Sequence, residues 1–158
     1  MTTSKATEGR FGALAIREVR PGDEARWREL WAGYTGFYQA AVPEAVTATT
    51  WARILDPLTP VFARLAEAEG RIVGFAVCIV HARTWSIEPI VYLEDLFVDP
   101  GVRGGGVGFA LVEDLKREAR RLGACQLYWH TEGDNARARR LYDRFRPADG
   151  YVRYRLDV

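Results

Sequence analysis

The 158-residue sequence predicts a mixed α/β (α+β) domain, a mostly antiparallel sheet flanked by helices. Two observations lead there. Apolar runs such as "FGALAIREV", "VFARLAEAEGRIVGFAVCIV" and "IVYLEDLFV" have the length and β-branched content of strands. Between them lie stretches whose apolar residues recur every three or four positions, the clearest being "GVGFALVEDLKREARRLG". The expected order is βααβββαβαβ.

The first strand covers Phe11 to Val19 and closes at "RPGDEA", where Asp23 is placed to cap a helix. In that helix Trp27, Leu30, Trp31, Tyr34 and Tyr38 share one face, and Gly33 and Gly36 weaken its second half. "VPEAVTATTWARILDP" reads as a second helix, ended by Pro57. Two strands follow around a turn at Glu69-Gly70, then the loop "HARTWSIEP" and the strand "IVYLEDLFV". The clearest helix lines up Val107, Leu111, Leu115, Ala119 and Leu122 and stops at Gly123. "CQLYWHT" is a strand. "DNARARRLYDRF" is a helix with Ala138, Leu141, Tyr142 and Phe145 on one face. "YVRYRLDV" is expected to close the sheet. Residues 1–10 are polar, lack a signal peptide's apolar core and read as a disordered tail before a single domain, 11–158.

Composition excludes several functions. A net charge of +1 gives no global electrostatic case for nucleic acid or an anionic membrane. No apolar stretch reaches membrane-spanning length. Cys78 and Cys125 lie in apolar runs without metal-ligand spacing, and His81 and His130 are far apart in sequence, so no metal is expected. Free thiols suit a reducing compartment, and a cytoplasmic protein is the expectation.

Five glycines fall between Gly101 and Gly108, where a strand hands over to the longest helix. A helix start carries unpaired N–H groups and partial positive charge, and glycines let a ligand approach the backbone. The loop therefore reads as a diphosphate site. It lacks the Lys-Ser/Thr of a P-loop, and it comes too late in the chain for a dinucleotide fold.

Arg103-x-x-Gly106-x-Gly108, preceded by "YLEDLFVDP" and followed by "NARARRLY", resembles the signature of the GNAT N-acetyltransferases, from roughly Phe11 to the end. "LWAGYTGFYQAAVPE", "RILDP", "TWSIEPIVYLEDLFVD" and "LYWHTEGDNARARRLY" look like the yeast histone and polyamine acetyltransferase subgroup, and "YLEDLFV" also resembles spermidine/spermine and diamine acetyltransferases. The resemblance implies the acyl-CoA N-acyltransferase fold, acetyl-CoA as co-substrate and a homodimer. It implies acetyl transfer to a small-molecule amine, a polyamine, diamine or amino acid. A lysine-rich protein tail as acceptor, or a non-catalytic CoA-binding module, are the alternatives.

The roles it implies fall on particular residues. Arg103, Gly104, Gly105, Gly106, Val107, Gly108 and Phe109 would cradle the CoA pyrophosphate, although Arg103 could be only a solvated charge. Backbone groups of Leu96, Phe97 and Val98 would pair with the pantetheine arm. Tyr142 would meet the CoA sulfur, unless it is a core aromatic. Asn135 would bond the pantetheine or simply cap its helix, or both. Arg137 is the first choice for the 3′-phosphate among a set of arginines best explained as a solvated face. Glu94 and Asp95 are carboxylates inside an apolar strand, which alternation sends to opposite faces. Glu94 is the expected base and both are candidates for the acceptor site. Trp31, Tyr34, Tyr38, Trp85 and Trp129 could wall the acceptor pocket; aromatics of the first helix are more often core, and Trp85, in a loop, is the better candidate.

Overall fold

The computed structural model describes residues 8, 9 and 12–158. Strands β1 (Glu8–Gly9) and β2 (Gly12–Glu18) lead into helices α1 (Glu24–Phe37) and α2 (Glu44–Leu55). Strands β3 (Val61–Ala68), β4 (Arg71–His81) and β5 (Ile90–Val98) follow, then helix α3 (Val107–Arg121), strand β6 (Gln126–Trp129) and helix α4 (Ala136–Tyr142). The six strands lie in sequence order. Every pairing is antiparallel except that of β5 with β6.

The hairpin between β3 and β4 turns on Glu69 (φ 52°) and Gly70 (φ 73°), the left-handed pair that matches the twist of its strands. β1 begins inside the segment expected to be a tail; the rest of that segment lies outside the described residues. Asp23 stands at the start of α1, but its carboxylate serves the preceding turn. It accepts from the Arg20 N–H at 2.7 Å and from the Arg17 guanidinium at 2.8 Å.

Each face of the sheet carries its own core. Under α1 and α2, Trp27, Leu30, Trp51 and Ile54 pack on Leu65, Phe75, Val77 and Phe97. Under α3, Val107, Leu111, Leu115 and Ala119 pack on Ala66, Val73, Ala76, Cys78, Val91 and Leu93. The predicted α3 stripe thus holds, except that Leu122 lies past the last turn and is exposed. α3 is also tied to β3 by a buried ion pair, Arg64 Nε to Asp114 Oδ2 at 2.6 Å. Cys78 is buried, whereas Cys125 is exposed just before β6.

The expected closing strand does not form. Residues 151–158 have no regular structure and expose Tyr151, Val152, Tyr154, Leu156 and Val158. An alternating pattern makes a strand only where an edge supplies its hydrogen bonds and a face buries its apolar side. This segment finds neither within its own chain.

Candidate active site

The site is organised by a β-bulge. Val77 pairs with Asp95 and Cys78 with Leu93, so Glu94 is an extra residue on β5. On one side of the bulge Val91 and Leu93 face the α3 core; on the other, Leu96 and Val98 do. Strict alternation cannot place Leu93 and Leu96 on the same face across two intervening positions. Glu94 and Asp95 therefore share the opposite face, the one beneath α1, and the expectation of opposite faces is corrected.

The bulge coincides with the opening of the sheet. Pairing of β5 to β6 ends at Leu93 with Trp129, while β5 runs on to Val98. Asp99 N–H donates to the Val73 carbonyl of β4 at 2.8 Å. By antiparallel alternation the backbone groups of Phe97 and Asp95 also point to β4, and those of Leu96 and Val98 point into the gap. Leu96 and the Val98 N–H are thus free to pair with an extended ligand arm; the Phe97 backbone is spent on the sheet. Arg103 closes the outer end of this edge, donating from Nε to the Val98 carbonyl at 3.0 Å, with its guanidinium over the Phe97 ring. Burial, and then the nearby Arg137 charge, pull Arg103 below the usual arginine value. Neither arginine has a carboxylate partner at ion-pair distance among the described residues. Two cations held close together suit an anion.

The glycine turn leads into α3 with Gly104 at φ 86° and Gly106 at φ 80°. Gly106 is the cap residue of α3, so the first-turn N–H groups of Val107, Gly108 and Phe109 have no intrahelical partner. At Gly108 a Cβ would lie 2.9 Å from the tip of the Leu141 side chain of α4, which would have to shift. The glycines thus bring α4 close as well as opening the helix end.

α4 starts at Asn135, whose side-chain oxygen accepts from the Ala138 N–H at 3.1 Å. The cap leaves the Asn135 amide nitrogen for other use. Seven residues on, the Tyr142 ring packs on Trp129 at 5.3 Å between centroids, where the sheet opens. Burial raises its hydroxyl to about 12, with a smaller push from Tyr38 across the gap. Arg137 is exposed on α4.

Glu94 is exposed and Asp95 is half-buried. Burial raises the Asp95 carboxyl to about 6, the Tyr34 hydroxyl opposes that rise and the Glu94 charge adds to it. Burial first, and then the same carboxylates, push the Tyr34 hydroxyl far above the usual tyrosine value. Tyr38 is raised by burial and by Glu132 and Asp95. The structure therefore brings Glu94, Asp95, Tyr38 and Tyr142 around the opening of the sheet. Trp85 stands apart on the 82–89 loop, 85% exposed, with only the Arg83 guanidinium over its ring. Sequence reasoning named Tyr34 as a pocket candidate but missed Tyr92 and Tyr128. The last two were findable, since "LYWH" puts Tyr128 and His130 on one face of a strand.

A profile of the Acetyltransferase (GNAT) family matches residues 25–146. The chain belongs to the GNAT family of N-acetyltransferases. It is similar to the D-amino-acid N-acetyltransferase of Saccharomyces cerevisiae, 37% identical over 131 residues that cover 82% of this chain and 81% of that protein. An uncharacterized N-acetyltransferase of Bacillus subtilis is 32% identical over 148 residues, 92% of this chain and 98% of its own. Among solved structures, the aminoglycoside N-acetyltransferase AAC(6')-Iy in complex with CoA has the same fold, with a TM-score of 0.78 at 20% identity over 96% of this chain and 98% of that one.

Proposed function

We propose that this enzyme transfers the acetyl group of acetyl-CoA directly to a primary amine of a small molecule, a polyamine, diamine or amino acid. The observation that carries the reading is the opening between β5 and β6: anion-suited backbone and arginines at its mouth, unpaired strand groups along it, carboxylates at its inner end. The relatives point the same way, one named for D-amino acids and another, from Stenotrophomonas maltophilia, for aminoglycosides.

Acetyl-CoA supplies a thioester whose carbonyl carbon is open to attack. N–H groups of Val107, Gly108 and Phe109 hold the pyrophosphate, with Arg103 and Arg137 beside them. Backbone groups of Leu96 and Val98 hold the pantetheine as an added strand, and the Leu96 N–H, nearer the bulge, faces the developing oxyanion. Glu94 takes the proton of the acceptor ammonium and frees the lone pair that attacks. Tyr142 hydrogen-bonds the departing thiolate. At about 12 its hydroxyl is a weaker acid than a thiol, so it steadies the charge rather than surrendering its proton. The segment 151–158 extends the reading to a homodimer, in which each copy supplies the other with the edge its closing strand lacks.

The test is acetyl-CoA turnover, read as free thiol, against a panel of diamines, polyamines, amino acids and a lysine-rich peptide. Turnover with small amines and none with the peptide supports the reading. Turnover with the peptide alone overturns it.

A further inference from the structure

On the face of β5 and β6 opposite α3, four rings form a shelf. Tyr92 and Tyr128 are register partners on the two strands, and their rings stack at 5.0 Å with 26° between planes. Each hydroxyl is anchored by a histidine. His81 Nε2 lies 2.8 Å from the Tyr128 hydroxyl, and His130 Nδ1 lies 3.3 Å from that of Tyr92. His81 is itself held through Nδ1, 2.9 Å from the Ala82 carbonyl. The His130 ring meets Tyr92 and Tyr128 edge-on at 5.5 and 5.9 Å.

The other aromatic cluster of this face, Trp27 to Phe75, is roofed by α1 and α2. The shelf is not: α1 packs on β4 and β5 and α2 on β3, while the helix that packs on β6 is α3, from the other face. Tyr128 and Tyr92 remain half-buried and His130 exposed. Rings locked by hydrogen bonds yet left uncovered form a preorganised surface.

Its charge surroundings select the occupant. Glu94 lies near both tyrosines, Asp95 is felt at Tyr92, and Glu132 stands near Tyr38 across the opening. Among the described residues none of these three carboxylates is in an ion pair, in a protein where most other acids on α1, α3 and β2 are. Among the described residues the cation felt at the shelf is Arg153 of the C-terminal segment, beside Tyr92. A π-face and unneutralised carboxylates attract an ammonium. One carboxylate is used by the reacting amine; the rest are in excess of it.

We propose that the Tyr92–Tyr128 shelf, clamped by His81 and His130, is the acceptor-recognition surface and binds a second cationic centre of the acceptor, beyond the amine that reacts. Resting on the acetyltransferase reading, this makes the acceptor a di- or polycationic amine without a free carboxylate. A free amino acid would bring its own negative charge against Glu94, Asp95 and Glu132.

The experiment compares a diamine with the monoamine of the same chain length, and an amino acid with its amide. Wild type and Tyr128→Ala are assayed for turnover, and diamine binding to the enzyme–CoA complex is measured by calorimetry. The wild type should prefer diamine over monoamine and amide over free acid. Tyr128→Ala should raise the diamine KM roughly tenfold, leaving the monoamine and acetyl-CoA KM within about twofold. Tyr128→Phe, which keeps the ring but loses its anchor, should fall between. Equal losses for diamine and monoamine, or a wild type that prefers the free amino acid, overturn the shelf. Failure of the acetyltransferase reading looks different: diamine still binds and Tyr128→Ala still weakens it, yet no amine releases thiol. No diamine binding to the wild-type complex overturns the shelf directly.

Discussion

Glu94 and Asp95, adjacent in sequence, stand side by side on one face of β5, because the bulge opposite Val77 and Cys78 absorbs one residue of the alternation. Two carboxylates that a regular strand would separate by the thickness of the sheet instead interact, and the Glu94 charge helps hold Asp95 near 6. A bulge at this point also ends the pairing to β6, so one backbone irregularity both opens the sheet and arms the opening with charge.

Asp95→Asn should stabilise the fold at neutral pH. A carboxyl whose affinity for protons is raised by folding opposes folding whenever it is ionised. The opposition is present above about 6, declines as pH falls through that value, and is gone below the ordinary aspartate range. Each tenfold change in proton affinity is worth about 1.4 kcal/mol, so the gain at pH 8 is at most about 3 kcal/mol. Melting temperatures of wild type and variant at pH 8 and pH 4 check it: the variant should melt higher at pH 8 and the gap should close at pH 4. A variant that melts lower at pH 8 would mean that Asp95 is a stabilising anchor for Tyr34.

Gly108→Ala should change stability by less than about 1 kcal/mol, because the new methyl meets only the movable tip of Leu141, 2.9 Å away, while alanine favours the helix. Gly106→Asp acts differently. Its cost should appear in CoA affinity, by more than about tenfold, since a carboxylate enters the mouth that Arg103 and Arg137 prepare for an anion. Calorimetry of the folded variant with CoA checks it, and unchanged affinity would move the pyrophosphate elsewhere.

Tyr142→Phe should slow kcat by roughly ten- to a hundredfold, the worth of a hydrogen bond to a charged group. CoA affinity should stay within a few-fold, because the ring keeps its packing on Trp129. Single-turnover rates are the measurement. An unchanged chemical step would make Tyr142 a wall of the site and nothing more.

What the sequence made legible follows what periodicity encodes. The β5 boundaries, 90–98, were readable because apolar content and flanking loops mark them, and α3 because its stripe is long. The shared face of Glu94 and Asp95 was not, since a bulge is set by the partner strand and leaves no mark in β5 itself. The glycine turn was readable as a site, but the contact of Gly108 with Leu141 is tertiary. The closing strand failed because alternation specifies two faces and no partner. The aromatic shelf was hidden in three separate strands, each contributing residues that read alone as ordinary sheet.

Glu94→Gln keeps the shape of the bulge and removes one charge. Two consequences follow, with different signs. The proton acceptor is lost, so kcat/KM near neutral pH should fall by about a hundredfold or more. The rate should climb again as pH rises toward the amine's own range, where free amine exists without help. At the same time the Asp95 carboxyl loses the neighbour that raises it, while burial and the Tyr34 hydroxyl stay. The Asp95 carboxyl should therefore take up its proton at lower pH in the variant, whatever Glu94 does in the reaction. A purely structural glutamate predicts no loss of rate near neutral pH, only a lower melting temperature. kcat/KM against pH for both proteins, with CoA affinity as the control, separates these outcomes. A variant that keeps the wild-type rate near neutral pH would remove Glu94 from the chemistry and leave Asp95 as the carboxylate that takes the proton.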